Sequence, residues 1–229
     1  PEEVPMDVFA VFRRAGIGVF RRRLSNSNIS GLLLKHETAR RCILVNYDED
    51  PFRQRFSVVH EVGHVLLDDE EDRLITLRSW SQDDLSEVRA NRFASNFLLP
   101  PEFLQRLPDP ESWTDDEAVD WAVRLRVNAQ TLSIALSKAE LISRDQAARI
   151  SRLPVPRARK EDPELPPDLS ASSRERRQKL LRHGLPVAYV SLCLDALGDG
   201  FISAGRLAEV LLIGPGDLDD VFVAYGGTR

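Results

Sequence analysis

The sequence predicts an α+β fold: a small, mostly antiparallel sheet packed on two long helices, followed by a helical segment and a helical C-terminal tail. Three observations lead there. Short apolar runs at 17–24, 29–36 and 41–47 are separated only by polar joints such as Ser25-Asn26-Ser27-Asn28 and Glu37-Thr38-Ala39, and connections that short favour antiparallel pairing. After them apolar residues recur at three- and four-residue spacing, the period of a helix buried on one face. The 229 residues are 42% apolar and 29% charged, an ordinary globular composition with chain enough for one substantial core and a smaller second one.

The chain opens with an amphipathic helix over 4–15, which Gly16 ends. The three strands come next, and their sheet would offer an edge to which an extended peptide can add as a further strand. Arg13-Arg14 and Arg21-Arg22-Arg23 read as a solvated basic face. Asp50-Pro51 starts the first long helix, on which Phe56, Val59, Gly63, Leu66 and Leu67 share a face. The second runs over 84–99 with a buried stripe of Leu85, Val88, Phe93, Phe97 and Leu98 beside small Ala90 and Ala94, and Pro100-Pro101 stops it.

A short helix with its prolines at the start follows to about 107. Thr114 caps another, with Asp115, Asp116 and Glu117 in its first turn, and after a break at 127–130 the next runs over 130–141. Helix, short turn, helix is the outline of a helix-turn-helix. Its second helix offers Thr131, Ser133, Ser137 and Lys138 rather than a row of basic or amide side chains, so packing or partner docking is expected ahead of DNA reading. Residues 152–171 carry five prolines among charges and read as a partly extended linker. Helices are then expected at 173–183, 186–197 and 203–213, closed by Gly184, Gly198 and Gly214. Asp195 to Ser203 lacks the ligand oxygens and closing glutamate of a calcium loop and reads as a glycine turn. These segments divide the chain into 1–110, 111–151, 152–171 and 172–229.

A net charge of −5 gives the chain as a whole no electrostatic reason to bind DNA. No apolar run approaches the ~20 residues of a membrane span, and no signal peptide opens the sequence, so a cytoplasmic protein is expected. Cys42 and Cys193 fit two reduced thiols in that compartment. The sequence begins at Pro1 rather than Met, which leaves open whether a domain precedes it.

The chemistry gathers in His60-Glu61-Val62-Gly63-His64. Two imidazoles four residues apart fall on one face of a helix, about 40° apart around the axis, and can grip one metal ion. Glu61, rotated roughly 100° from His60, can address a metal-activated water as general base, the arrangement of a zinc metallopeptidase. Such sites need a third protein ligand. Glu87 on the 84–99 helix can supply it, while Asn91, one turn on, supports a histidine or the carboxylate by hydrogen bonding. His36 and His183 stand outside any ligand spacing, and no residue is singled out to stabilise an oxyanion; Tyr47 or an arginine near Arg53 are candidates.

Residues 53–67 and 87–100, with Ile43-Leu44-Val45-Asn46 ahead of them, resemble the signature segments of the ImmA/IrrE family of metallo-endopeptidases. The resemblance covers about residues 5–145. It implies a zincin-like domain within 1–110, with His60, His64 and Glu87 as zinc ligands and Glu61 as catalytic base; manganese and iron also suit such a donor set. It further implies a substrate class, helix-turn-helix repressors cleaved to derepress mobile-element or stress-response genes. Two alternatives stand beside it: a non-catalytic, metal-stabilised module that binds a repressor, and a DNA-binding regulator acting through the 114–141 helices.

Overall fold

The computed structural model describes residues 7–25, 29–34, 41–67, 73–77 (backbone only) and 85–225. His36 and the 37–39 joint lie outside them.

Helix α1 (Val8–Arg14) begins where the Asp7 carboxylate accepts the Ala10 amide at 3.0 Å, and ends with Arg13 and Arg14 at its negative pole. Gly16, at φ 85°, turns the chain into β1 (Gly18–Arg22). Strands β2 (Ile29–Leu34), β3 (Cys42–Asn46) and β4 (Arg73–Leu77) complete a four-stranded sheet in the order β1-β3-β2-β4. The β2–β3 and β2–β4 pairs are antiparallel, whereas β1 and β3 are parallel, with Val19 opposite Ile43 and Arg21 opposite Val45. That parallel pair corrects the hairpin expected from short joints. Strand β3 inserts between β1 and β2, and a joint of six residues, 23–28, is long enough to step over one strand, about 10 Å. Strand β4 was not anticipated.

One face of the sheet packs Val19, Leu33, Ile43 and Val45 against α1 and the long helix α2 (Pro51–Leu67). Asp50 accepts the Phe52 and Arg53 amides at 3.0 and 3.2 Å, and Pro51 occupies the first helical position, where its missing N–H costs nothing. Val58, Val59, Val62 and Val65 are its core residues. Leu66 and Leu67 are not, being 57% and 48% exposed. The same correction applies to α3 (Leu85–Leu98): Ala90, Ala94 and Leu98 are buried and Phe93 and Phe97 partly so, but Leu85 is 73% and Val88 40% exposed, because the first turn of α3 meets α2 through Ser86 and Glu87 instead.

After Pro100 come α4 (Pro101–Leu104), α5 (Asp115–Leu125), α6 (Ala129–Lys138) and α7 (Arg144–Ser151). Thr114 and Glu117 form a reciprocal capping box on α5. Helix α7, absent from the sequence reading, is capped by Ser143, which accepts the Gln146 amide at 3.2 Å. Leu132, Leu136 and Ile150 join the apolar core of the sheet and α2. Ser133, expected on the outer face of α6, is buried and donates to the Gln130 carbonyl at 2.9 Å.

The proline-rich stretch is held against β1 by charge. Arg21, expected to be solvated, is 0% exposed. It donates to both oxygens of Asp162 at 3.0 and 2.9 Å and lies 2.9 Å from Glu164, with the Phe9 and Tyr47 rings 4.7 and 5.4 Å away. Leu165 is buried beside this cluster in sequence. Beyond it, α8 (Ala171–Arg182), α9 (Val187–Gly198), α10 (Ala204–Val210) and α11 (Leu218–Tyr225) close a second apolar cluster around Leu180, Val190, Leu207, Leu211 and Val221. Gly184 at φ 91° ends α8 as its residue type predicts. Helix α9 ends at Gly198 as expected, with the left-handed turn at Gly200 (φ 76°), whereas α10 ends at Val210 and turns at Leu212 (φ 55°) ahead of Gly214.

Candidate metal centre

The local sequence of α2 sets His60 and His64 one turn apart on its buried side, with ring centroids 4.8 Å apart and Nε2 atoms 3.1 Å apart. Helix α3 crosses this face and contributes Glu87, whose Oε2 is 3.2 Å from His60 Nε2 and Oε1 3.3 Å from His64 Nε2. What lets α3 come so near is small residues. A Cβ built on Gly63 would sit 3.0 Å from the Ala90 Cα and 3.3 Å from its Cβ. Gly63 lies between the two histidines and Ala90 is three residues after Glu87, so the helices touch backbone to backbone where the donors must meet.

One ligand atom from each of His60, His64 and Glu87 can be chosen so that all three lie within 4.8 Å of one another. Protein ligands on a tetrahedral zinc ion stand about 3.3 Å apart, close to the 3.1–3.3 Å between these donors. The proton positions also suit ligation. His60 Nδ1 faces the Asn91 Oδ1 at 3.2 Å, an oxygen that only accepts, so Nδ1 carries a proton and Nε2 is the ring nitrogen turned toward Glu87. His64 Nδ1 has the Ser86 hydroxyl at 3.4 Å. Hydrogen bonds from His60 and His64, against the opposing effect of burial, hold the Glu87 carboxyl down at about 2, so it is an anion at neutral pH. Two imidazole nitrogens and one carboxylate, converging in a buried cleft, fit a divalent ion.

Glu61 is 0% exposed and points to the sheet side of α2. A Cβ on Gly31 of β2 would lie 2.2 Å from Glu61 Oε1, so only glycine leaves room for this carboxylate against the strand. Two other charged groups steady α2. Glu49, buried, accepts from Ser30 at 2.8 Å, Arg53 at 3.0 Å and Ser57 at 3.4 Å. Arg55, also buried, donates to the carbonyls of Leu125 and Arg126 at 2.7 and 3.0 Å, a cation on the negative end of α5. Burial, and then the neighbouring Arg126, push the Arg55 guanidinium down to about 10.

The structure therefore brings His60, His64, Glu87 and Asn91 into one contact set, with Glu61 beside them in sequence and seated on Gly31. Tyr47 and Arg53 are engaged with Arg21 and Glu49. His183 sits at the end of α8. Neither cysteine is in a disulfide; Cys193 is buried and Cys42 half-buried. Sequence reasoning missed Ser86, Gly31 and the Gly63–Ala90 contact. Ser86 stands next to Glu87, and the spacing of 22 residues from His64 carries no local signal; the two small residues, by contrast, were visible as glycine and alanine on buried faces.

A family model described as Peptidase_M78, IrrE N-terminal-like domain, matches residues 12–137, a stretch that contains every residue of this centre. No curated protein matches the chain.

Proposed function

The chain belongs to the IrrE N-terminal-like family of metallopeptidases, and from that premise we propose that it is a zinc-dependent endopeptidase acting in the cytoplasm on a regulatory protein, a helix-turn-helix repressor. The observation that carries the catalytic part is the convergence of the His60, His64 and Glu87 donor atoms on α2 and α3, beside the buried carboxylate of Glu61. His60, His64 and Glu87 would hold the ion, and Asn91 keeps the His60 ring turned toward it. When bound, a divalent ion supplies Lewis-acid polarisation of the scissile carbonyl and a lower pKa for the attacking water. Glu61 takes the proton of that water as general base and returns it to the leaving amine. The packing of Glu61 on Gly31 fixes its carboxylate before substrate arrives, so little reorganisation is needed during the reaction.

The substrate reading rests on the family resemblance and on the sheet. Strand β4 pairs only with β2 among the described residues, which leaves its outer edge for an extended segment of the substrate to join by main-chain hydrogen bonds. Residues 172–229, with their own apolar cluster, are the part proposed to select or regulate that substrate. Elemental analysis of the purified chain, followed by incubation with the repressor encoded beside its gene, tests both halves. Stoichiometric zinc with cleavage is expected. An intact repressor in the presence of bound metal would sink the substrate assignment, and a metal-free chain the catalytic one.

A further inference from the structure

Away from the metal centre, a concavity of about 380 Å³ is lined by Arg22, Arg23, Lys179, Arg182 and His183. Two separate basic runs are locked together to make it. The Arg23 amide donates to the Arg182 carbonyl at 3.0 Å, and Arg22 forms an antiparallel bridge with His183, so the end of β1 and the end of α8 are joined through backbone. Gly184, at φ 91°, makes the turn beside them, and its Cα faces the Arg22 side chain closely enough that a Cβ would be 3.5 Å from it. All five lining side chains are exposed.

Lys179 and Arg182 alone would be accounted for by the negative end of α8. Arg22 and Arg23 would not, since they come from a strand and bring the groove to four permanent cations and one imidazole. Against these, Asp48 is the one carboxylate in ion-pair contact with the groove among the described residues, bonding Arg23 at 3.0 Å. Like charges gathered on a fixed backbone repel unless an anion joins them, and they do so here in a chain of net charge −5. Three of the cations are arginines, whose forked donors match phosphate oxygens in pairs. The concavity has the size of a small-molecule site, and the negative charge of the rest of the chain disfavours a long polyanion.

We propose that this groove between β1 and α8 binds a compact oligophosphate, the chemistry shared by short inorganic oligophosphates and the phosphate tail of a nucleotide. The test is calorimetric titration of the whole 229-residue, metal-loaded chain with sodium tripolyphosphate and, separately, with ATP. One saturable site is expected. Arg22→Gln/Arg182→Gln should weaken it by about tenfold or more through loss of two charge-assisted contacts. Arg106→Gln/Arg152→Gln, which removes the same charge from exposed positions elsewhere, should change affinity less than about twofold. Lys179→Gln repeats the test without touching β1. Equal affinity for the two probes identifies the phosphates alone as the ligand, and tighter ATP binding adds the nucleoside; both support the proposal. Absence of binding, equal weakening by the two double variants, binding lost instead in His60→Ala/His64→Ala, or preference for oligoglutamate or duplex DNA over tripolyphosphate would each overturn it.

Discussion

Glu164→Gln should destabilise the folded chain by about 3 kcal/mol although it lies outside the matched peptidase segment. Glu164 is 5% exposed and contacts three groups: Arg21 Nε at 2.9 Å, Arg13 Nη1 at 3.2 Å and, as acceptor, the Val187 amide at 3.0 Å. Burial on its own pulls the Arg21 guanidinium pKa down, but Glu164 and Asp162 outweigh it and the net direction is up, so Arg21 is a fully buried cation held by two carboxylates. Removing one partner of a buried pair costs about 3–5 kcal/mol because the other charge is left uncompensated. The lower end applies because Asp162 still grips Arg21 with both oxygens. For a chain of this size about 3 kcal/mol lowers Tm by roughly 6–12 °C. Arg21→Met should cost at least as much, by stranding both carboxylates, while Arg21→Met/Glu164→Gln should lose less than the sum of the singles by about 1.5 kcal/mol or more. Urea denaturation of the four proteins measures the cycle, and hydrogen exchange at the Val187 amide reports the tie to α9 independently. Additivity within about 0.5 kcal/mol, with Val187 protection unchanged, would refute the idea that this cluster couples β1 to the chain beyond residue 160.

The remaining predictions concern the metal centre. His60→Ala, His64→Ala and Glu87→Ala should each bind less than about a tenth of the wild-type metal at equal free zinc; undiminished metal in the Glu87 variant would move the third ligand elsewhere. Glu61→Gln should retain metal and partner binding while cleavage falls at least ~100-fold, and an unchanged rate would remove its assignment as base. Gly63→Val should push α3 off α2, costing about 1–3 kcal/mol of stability by overpacking and weakening metal binding together; full metal affinity in a folded variant would show that the Gly63–Ala90 contact does not set the ligand geometry. In metal-free protein the Glu87 carboxyl titrates at about 2, below its ordinary 4.5, so its stabilisation is present above about pH 4.5 and lost as pH falls toward about 2. Difference carbon NMR against Glu87→Gln measures this, and a midpoint near 4.5 would contradict the pairing with His60 and His64.

The parts of this molecule legible in its sequence are those whose physics is local. Asp50-Pro51, Thr114 through Glu117 and Gly184 mark helix ends through bonds made within a few residues, and the structure has those ends. Strand partners are a different matter. The run at 18–22 contains nothing to say that it pairs with β3 in parallel rather than with β2, because the choice depends on where β3 inserts. Arg21 was misread for the same reason: three consecutive arginines look solvated when the carboxylates that bury the first lie 141 and 143 positions away, inside a proline-rich stretch that reads as a linker. Periodicity also overstated burial at Leu66, Leu67, Leu85 and Val88, since it identifies a face of a helix but not how far along that face the neighbouring element extends.

The candidate centre divides along the same line. His60 and His64 were readable because helical pitch alone puts i and i+4 together. Glu87 could be nominated by its place on the next buried helix, but whether it reaches the histidines depends on the distance between two helix axes, ordinarily about 8–10 Å. That distance is set by what is missing at the crossing. With no Cβ on Gly63 and only a methyl on Ala90, α3 approaches α2 until the Glu87 oxygens stand 3.2 and 3.3 Å from the two Nε2 atoms. Where α2 meets the sheet the same device recurs, Gly31 leaving the space that the Glu61 carboxylate fills. The residues that would bind the ion and move the proton are therefore placed by two glycines with no chemistry of their own, and a larger residue at either would disturb the centre without altering any ligand.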